Sequence, residues 1–230
     1  MKISRRSFIL GGGATLAAAG ISPFLTSCTQ ETKSGINPAK FDTNGVKTLN
    51  TGLEDVPTSN VETRLFVLEN ANGAELCVTN FGARIVSLMV PDKNGEFKDM
   101  VLGFDNIKDY ADYNKNPNNF YGAVCGRFAN RISKGQFSID GKTYQLDTNE
   151  KGNMLHGGKY GFHFQTFDVQ SYEIGRSITF SLISDDKDMG FPGRFELRVT
   201  YTLTSKNTLS VFYEARTSSP TPINISNHAY

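Results

Sequence analysis

The chain has 230 residues, with 24 Lys and Arg against 23 Asp and Glu, for a formal net charge of +1. A balance this even, with no long run of one sign, lacks the basic surface that phosphate backbones require, and so excludes nucleic acid as the partner class. It excludes nothing among neutral ligands such as sugars.

The first 27 residues read as an export signal rather than as fold. Ser4-Arg5-Arg6-Ser7-Phe8-Ile9-Leu10 has the form of a twin-arginine signal, and an apolar, small-residue run follows over 9–21. Leu25-Thr26-Ser27-Cys28 then has the form of a lipobox cut before Cys28. The apolar run is shorter than the ~20 residues of a spanning helix. Acyl chains on Cys28 would therefore anchor the protein at a membrane without crossing it. The expected location is the bacterial cell envelope, on its periplasmic or surface side. Residues 28–60 are rich in Thr, Asn, Gly, Lys and Pro and poor in large apolar side chains. That composition predicts a flexible tether. The folded domain is expected over 61–230.

Strands are predicted over 65–68, 75–79 and 84–90, then a short helix over 107–113. Phe137 and Ile139 lead into Asp140-Gly141, with Tyr144 and Leu146 after it. An Asp-Gly pair between alternating runs is a strong hairpin signal, because both residues accept positive φ. A second hairpin turns at Ile174-Gly175, with Ile178, Phe180 and Leu182 on its return strand. Phe195, Leu197, Val199, Tyr201 and Leu203 alternate with polar residues, and Leu209, Val211, Tyr213 and Ala215 form the strand that pairs with them. A period of two places one set on a core face and the other toward water. Many strands at short turn spacing, with no long helical period, predict an all-β fold, a large antiparallel sandwich. Cys77 and Cys125 lie in apolar, strand-like surroundings and read as buried free thiols, with a disulfide between them in an oxidising compartment as the alternative. No spacing of Cys or His suits a metal.

Chemistry concentrates in two places. Gly126-Arg127-Phe128-Ala129-Asn130-Arg131-Ile132 and Asn153-Met154-Leu155-His156-Gly157-Gly158 hold donors and a group that titrates near neutrality. Glycines beside His156 would let a ligand approach the backbone closely. Asn227-His228-Ala229-Tyr230 adds a second imidazole, reached through Pro220-Thr221-Pro222. If Ile223 and Ile225 face the core, Asn224, Ser226 and His228 share the other face. His163, between Phe162 and Phe164, reads as a packing or rim residue. Asp185-Asp186-Lys187-Asp188 reads as a hydrophilic turn.

These segments, with Asn80-Phe81-Gly82-Ala83 and Gly190-Phe191-Pro192-Gly193, resemble the aldose 1-epimerase (galactose mutarotase) family from about residue 61 to Tyr230. The resemblance implies a mutarotase-like β-sandwich with a sugar-binding cleft. It implies interconversion of the α and β anomers of a free aldohexose, without metal or organic cofactor. It implies His228 as general acid, His156 as its partner at the sugar ring, and Asn130 and Arg131 as ligands of the hydroxyls. The family's base, a Glu, and a sugar-binding Asp follow the His-x-Tyr motif, and no acid of this chain matches them. The chain is therefore expected to be the N-terminal portion of such a domain. The alternative is a carbohydrate-binding lipoprotein that keeps the cleft and lacks the chemistry.

Overall fold

The computed structural model describes residues 32–42, 62–112 and 119–230. The expected export signal, Cys28, residue 61 and the expected tether other than 32–42 lie outside them.

The first sheet is antiparallel, in the order β1 (Leu65–Glu69), β2 (Glu75–Thr79), β3 (Arg84–Pro91) and β4 (Phe97–Asp99). A single-turn helix, α1 (Ile107–Ala111), follows, capped by the Asn106 side chain, which accepts from the Asp109 N–H. Three short strands come next: β5 (Val124–Cys125), β6 (Arg131–Ile132) and the hairpin strand β7 (Gln136–Ile139). β7 pairs with β8 (Lys142–Gln145) through the predicted turn, where Asp140 and Gly141 take φ of 52° and 75°. β9 (Met154–Leu155) returns to pair with β6. The second four-stranded sheet is antiparallel throughout: β10 (Asp168–Glu173), β11 (Ser177–Ser184), β12 (Phe195–Leu203) and β13 (Leu209–Thr217). Last, β14 (Ser226–Asn227) pairs with β5.

The two large sheets enclose the main core. Phe66, Leu68, Leu76, Val78 and Ile85 of the first meet Ile178, Phe180, Leu197, Val199 and Tyr201 of the second. The alternation read from β12 holds, with its odd-numbered residues from Phe195 to Leu203 all buried. β2 is buried on both faces. Leu76 and Val78 face the sandwich, while Cys77 joins a second cluster with Ile36, Phe41, Phe81, Ile107 and Tyr110. Cys77 and Cys125 are both free and buried.

One expectation needs correction. Within the segment predicted as a tether, residues 32–42 dock on the first sheet. Phe41 is fully buried and Ile36 nearly so. Thr63 Oγ1 donates to the Phe41 carbonyl at 2.9 Å, and the Lys33 N–H donates to both carboxylate oxygens of Glu75. Average composition conceals two apolar residues spaced to enter one groove, and a local hydrophobic pair is enough to order a short stretch.

The acidic turn is structural, as expected: Asp186 Oδ1 accepts from the Gly193 N–H, and Asp188 Oδ2 accepts from Ser184 Oγ. Among the described residues no helix is long and apolar enough to cross a membrane.

Candidate active site

The strand β5 and the final segment build one wall of the site. Ser226 pairs with Cys125 and Asn227 with Val124. Beyond the pair, the His228 N–H donates to the Ala123 carbonyl at 2.8 Å, and the His228 carbonyl accepts from the Gly122 N–H at 3.1 Å. Both backbone groups of His228 are thus engaged. The sheet period puts Cys125, Ser226 and His228 on one face and turns Val124 and Asn227 the other way. Asn227 Nδ2 duly reaches the buried Tyr201 hydroxyl at 3.2 Å. The predicted facing of the approach is met only in part. Ile225 packs on the core, but Ile223 is exposed, and Asn224 Nδ2 donates to the Ala129 carbonyl instead of facing the cleft.

The second wall comes from β6 and β9, where Arg131 pairs with Leu155. Asn149 clamps this strand: its Nδ2 donates to the Leu155 carbonyl at 3.1 Å and its Oδ1 accepts from the Leu155 N–H at 2.7 Å. The next residue, His156, sits in the left-handed region at φ 53°, and Asn130 opposite does so at φ 66°. Such backbone is uncommon for a residue with a Cβ and is held only where the surroundings over-determine it. Here they do. The His156 N–H donates to the Asn130 carbonyl, and the Asn130 N–H donates to His156 Nδ1, both at 3.0 Å.

The two walls bring the imidazoles together. The His156 and His228 rings lie 4.7 Å apart, centroid to centroid, at 87°. Phe120, which nothing in the sequence singled out, packs against both, 4.6 Å from His156 and 5.6 Å from His228. Its other side lies 4.7 Å from His163. His163 is a packing residue, 1% exposed, with its Nδ1 unpartnered. Tyr230 flanks His228 on the outside, its hydroxyl 3.4 Å from Nε2.

Burial sets the electrostatics. Desolvation first, and then the charge of His228, push the His156 pKa down to about 4. Desolvation also lowers the His228 pKa. Burial and the Arg84 guanidinium hold His163 far below the usual imidazole range. Desolvation and the neighbouring imidazole thus both favour the neutral form of His156. Neutral His156 uses the Nδ1 lone pair to accept from Asn130, so its proton is on Nε2, a hydrogen-bond donor. Donor atoms of Cys125, His156 and His228 lie within 4.8 Å of one another. In that tautomer His156 has no free lone pair to offer a metal.

Asn130, His156 and His228 thus lie in contact, with Arg131 adjoining Asn130, and Arg127 turns away from them. Asn130 and Arg131 are exposed on the rim. Arg127 is 2% exposed and points inward. Its guanidinium donates to Ser184 Oγ and to the carbonyls of Ser184, Asp185, Pro192 and Gly193. It ties this loop to the β11–β12 connection. The glycines after His156 also serve the chain rather than a ligand. A Cβ on Gly157 would lie 1.8 Å from the Gly126 carbonyl oxygen, and one on Gly158 would lie 2.8 Å from Met154 Cε.

Comparison with known proteins shows the family. Galactose mutarotase of Rattus norvegicus is 42% identical over 153 residues, covering 66% of this chain and 43% of that protein. Aldose 1-epimerase of Escherichia coli (strain K12) is 35% identical over 167 residues, covering 73% of this chain and 47% of that protein. Among solved structures, a GalM/aldose epimerase homologue from C. elegans superimposes with a TM-score of 0.67 at 32% identity, over 73% of this chain and 50% of its own. Galactose 1-epimerase from Lactobacillus acidophilus gives 0.65 at 28% identity, over 77% and 51%. The chain spans about half the length of the relatives it matches. With a family model described as aldose 1-epimerase matching residues 64–230, the chain belongs to the aldose 1-epimerase family.

Proposed function

We propose that this chain supplies the imidazole side of an aldose 1-epimerase active site, which interconverts the α and β anomers of a free aldohexose of the glucose or galactose type. The observation that carries this reading is the perpendicular contact of His156 and His228 at 4.7 Å, with Asn130 hydrogen-bonded to His156 beside them. His228 serves as general acid toward the ring oxygen. His156 donates a hydrogen bond to the sugar through Nε2–H. Asn130 and Arg131 on the rim bind hydroxyls, a task suited to an amide and a guanidinium.

The chemistry is a pair of proton transfers. A base takes the proton of the C1 hydroxyl while the acid protonates the ring oxygen, and the bond from C1 to that oxygen breaks. The open-chain aldehyde rotates about C1–C2 and closes on the other face, and both protons return. An imidazole suits the acid role because its pKa lies near the working pH. No acid of this chain is assigned as the base. Polarimetry of freshly dissolved α-glucose and α-galactose with the intact protein tests the activity. Accelerated approach to anomeric equilibrium is expected, and sugar binding without acceleration would favour the binding-protein alternative.

The order of arginine pair, apolar run and Leu25-Thr26-Ser27-Cys28 supports lipidation of Cys28 and attachment to a membrane of the bacterial cell envelope. A Cys28→Ala substitution is expected to move the protein from the membrane fraction to the soluble fraction. Unchanged fractionation would reject the anchor.

A further inference from the structure

The geometry points to Glu150 as a positioning residue that fixes the guanidinium of Arg131 for sugar binding. This rests on the reading of Arg131 as a hydroxyl ligand given above.

Arg131 Nε donates to Glu150 Oε2 at 2.9 Å. The Glu150 side chain is only 17% exposed, against 50% for Arg131. The carboxylate is therefore held against the protein while the guanidinium projects from it. Its backbone is fixed from both sides: the Glu150 N–H donates to the Asn153 carbonyl at 3.1 Å, and the Asn153 N–H donates back to the Glu150 carbonyl at 2.7 Å. Glu150 follows Asn149, whose side chain clamps Leu155, the residue before His156 and the strand partner of Arg131. One short strap thus locates both the imidazole and the arginine.

The mode of contact matters. A carboxylate on Nε takes one edge of the guanidinium and sets its plane, leaving the terminal nitrogens to a ligand. Among the described residues, no hydrogen bond engages those terminal nitrogens. The other cation near Glu150, Lys151, lies 3.9 Å away on a side chain that is 89% exposed, too distant and mobile to replace Arg131. An exposed ion pair contributes little to folding, so orientation is the role left to it. A preorganised arginine gives up less rotamer freedom when the sugar arrives.

The test is a double-mutant cycle in the intact enzyme, read as KM and kcat for anomerisation. Glu150→Gln keeps the shape and the backbone bridge but removes the charge. It is expected to raise KM about 3-fold with kcat retained, and Glu150→Asp is expected to give a smaller rise. In an Arg131→Ala background, Glu150→Gln should change KM no further. An unchanged KM in Glu150→Gln, or the same rise with and without Arg131, would overturn the positioning role. If Arg131→Ala itself leaves KM unaltered, the sugar-binding reading of Arg131 fails first and the role of Glu150 falls with it.

Discussion

Asn130 and His156 hold each other through two backbone-directed hydrogen bonds of 3.0 Å, one of them to the imidazole Nδ1. That bond decides which nitrogen of the neutral ring carries the proton. Nitrogen NMR should therefore find neutral His156 with its proton on Nε2, charging only near the value of about 4 to which burial and His228 push it. A midpoint near the ordinary ~6.5 would contradict the tautomer and the burial together.

On the proposed reading His228 is the general acid. His228→Ala is expected to slow anomerisation by about 100-fold or more, the usual range for a lost general acid. His156→Ala should raise KM as well as lower kcat, since a hydrogen bond to the sugar forms on binding. An unchanged rate in His228→Ala would remove that residue from the mechanism.

His163 makes stability depend on pH. Unfolded, a histidine binds a proton below about pH 6.5. Folded His163 does not, because burial and then Arg84 oppose its charge. The unfolded state then holds more protons, so stability falls as pH falls through that value, by about 1.4 kcal/mol per pH unit from this group. Urea unfolding at about pH 7 and pH 5 should show this slope in the native protein and a shallower one in His163→Asn. Equal slopes would mean that His163 charges freely in the fold.

Two arginines four residues apart should behave oppositely. Arg127 satisfies one hydroxyl and four carbonyls from a buried position. Arg127→Met is expected to cost about 3 kcal/mol or more, as those acceptors lose their donors. Arg131→Ala should leave the unfolding midpoint where it is while raising KM. Chemical denaturation of both variants checks the contrast, and a destabilised Arg131→Ala would refute it.

The docked segment 32–42 should be part of the cooperative fold. Phe41 fills a pocket beside Tyr110, with ring centroids 6.2 Å apart. Phe41→Ala is expected to cost about 3 kcal/mol. Protease cleavage within 32–42 that leaves the unfolding curve of native protein unaltered would show the segment to be a tether after all.

Much of the fold was legible in residues such as those of β12. Side chains alternate across a strand, so Phe195 to Leu203 declare their core face by period alone. Asp140-Gly141 declares its turn because few other pairs accept two positive φ values. The site was legible as residue types and not as roles. Arg127 and Arg131 look alike in sequence, and only the position of the Pro192–Gly193 carbonyls sends one inward. Gly157 looked like access for a ligand, and its missing Cβ is taken up by the Gly126 carbonyl. Phe120 and Glu150 carried no motif.

The sequence by itself determined where the longer strands and their hairpins lie, which face β12 buries, and which family the ordered motifs resemble, because these depend on neighbours a few residues away. Only the tertiary structure decided that His228 meets His156 beside Phe120, that Asn130 sets the imidazole tautomer, and that residues 32–42 dock on the first sheet. Those outcomes join positions tens of residues apart along the chain, and local periodicity carries no record of such distances.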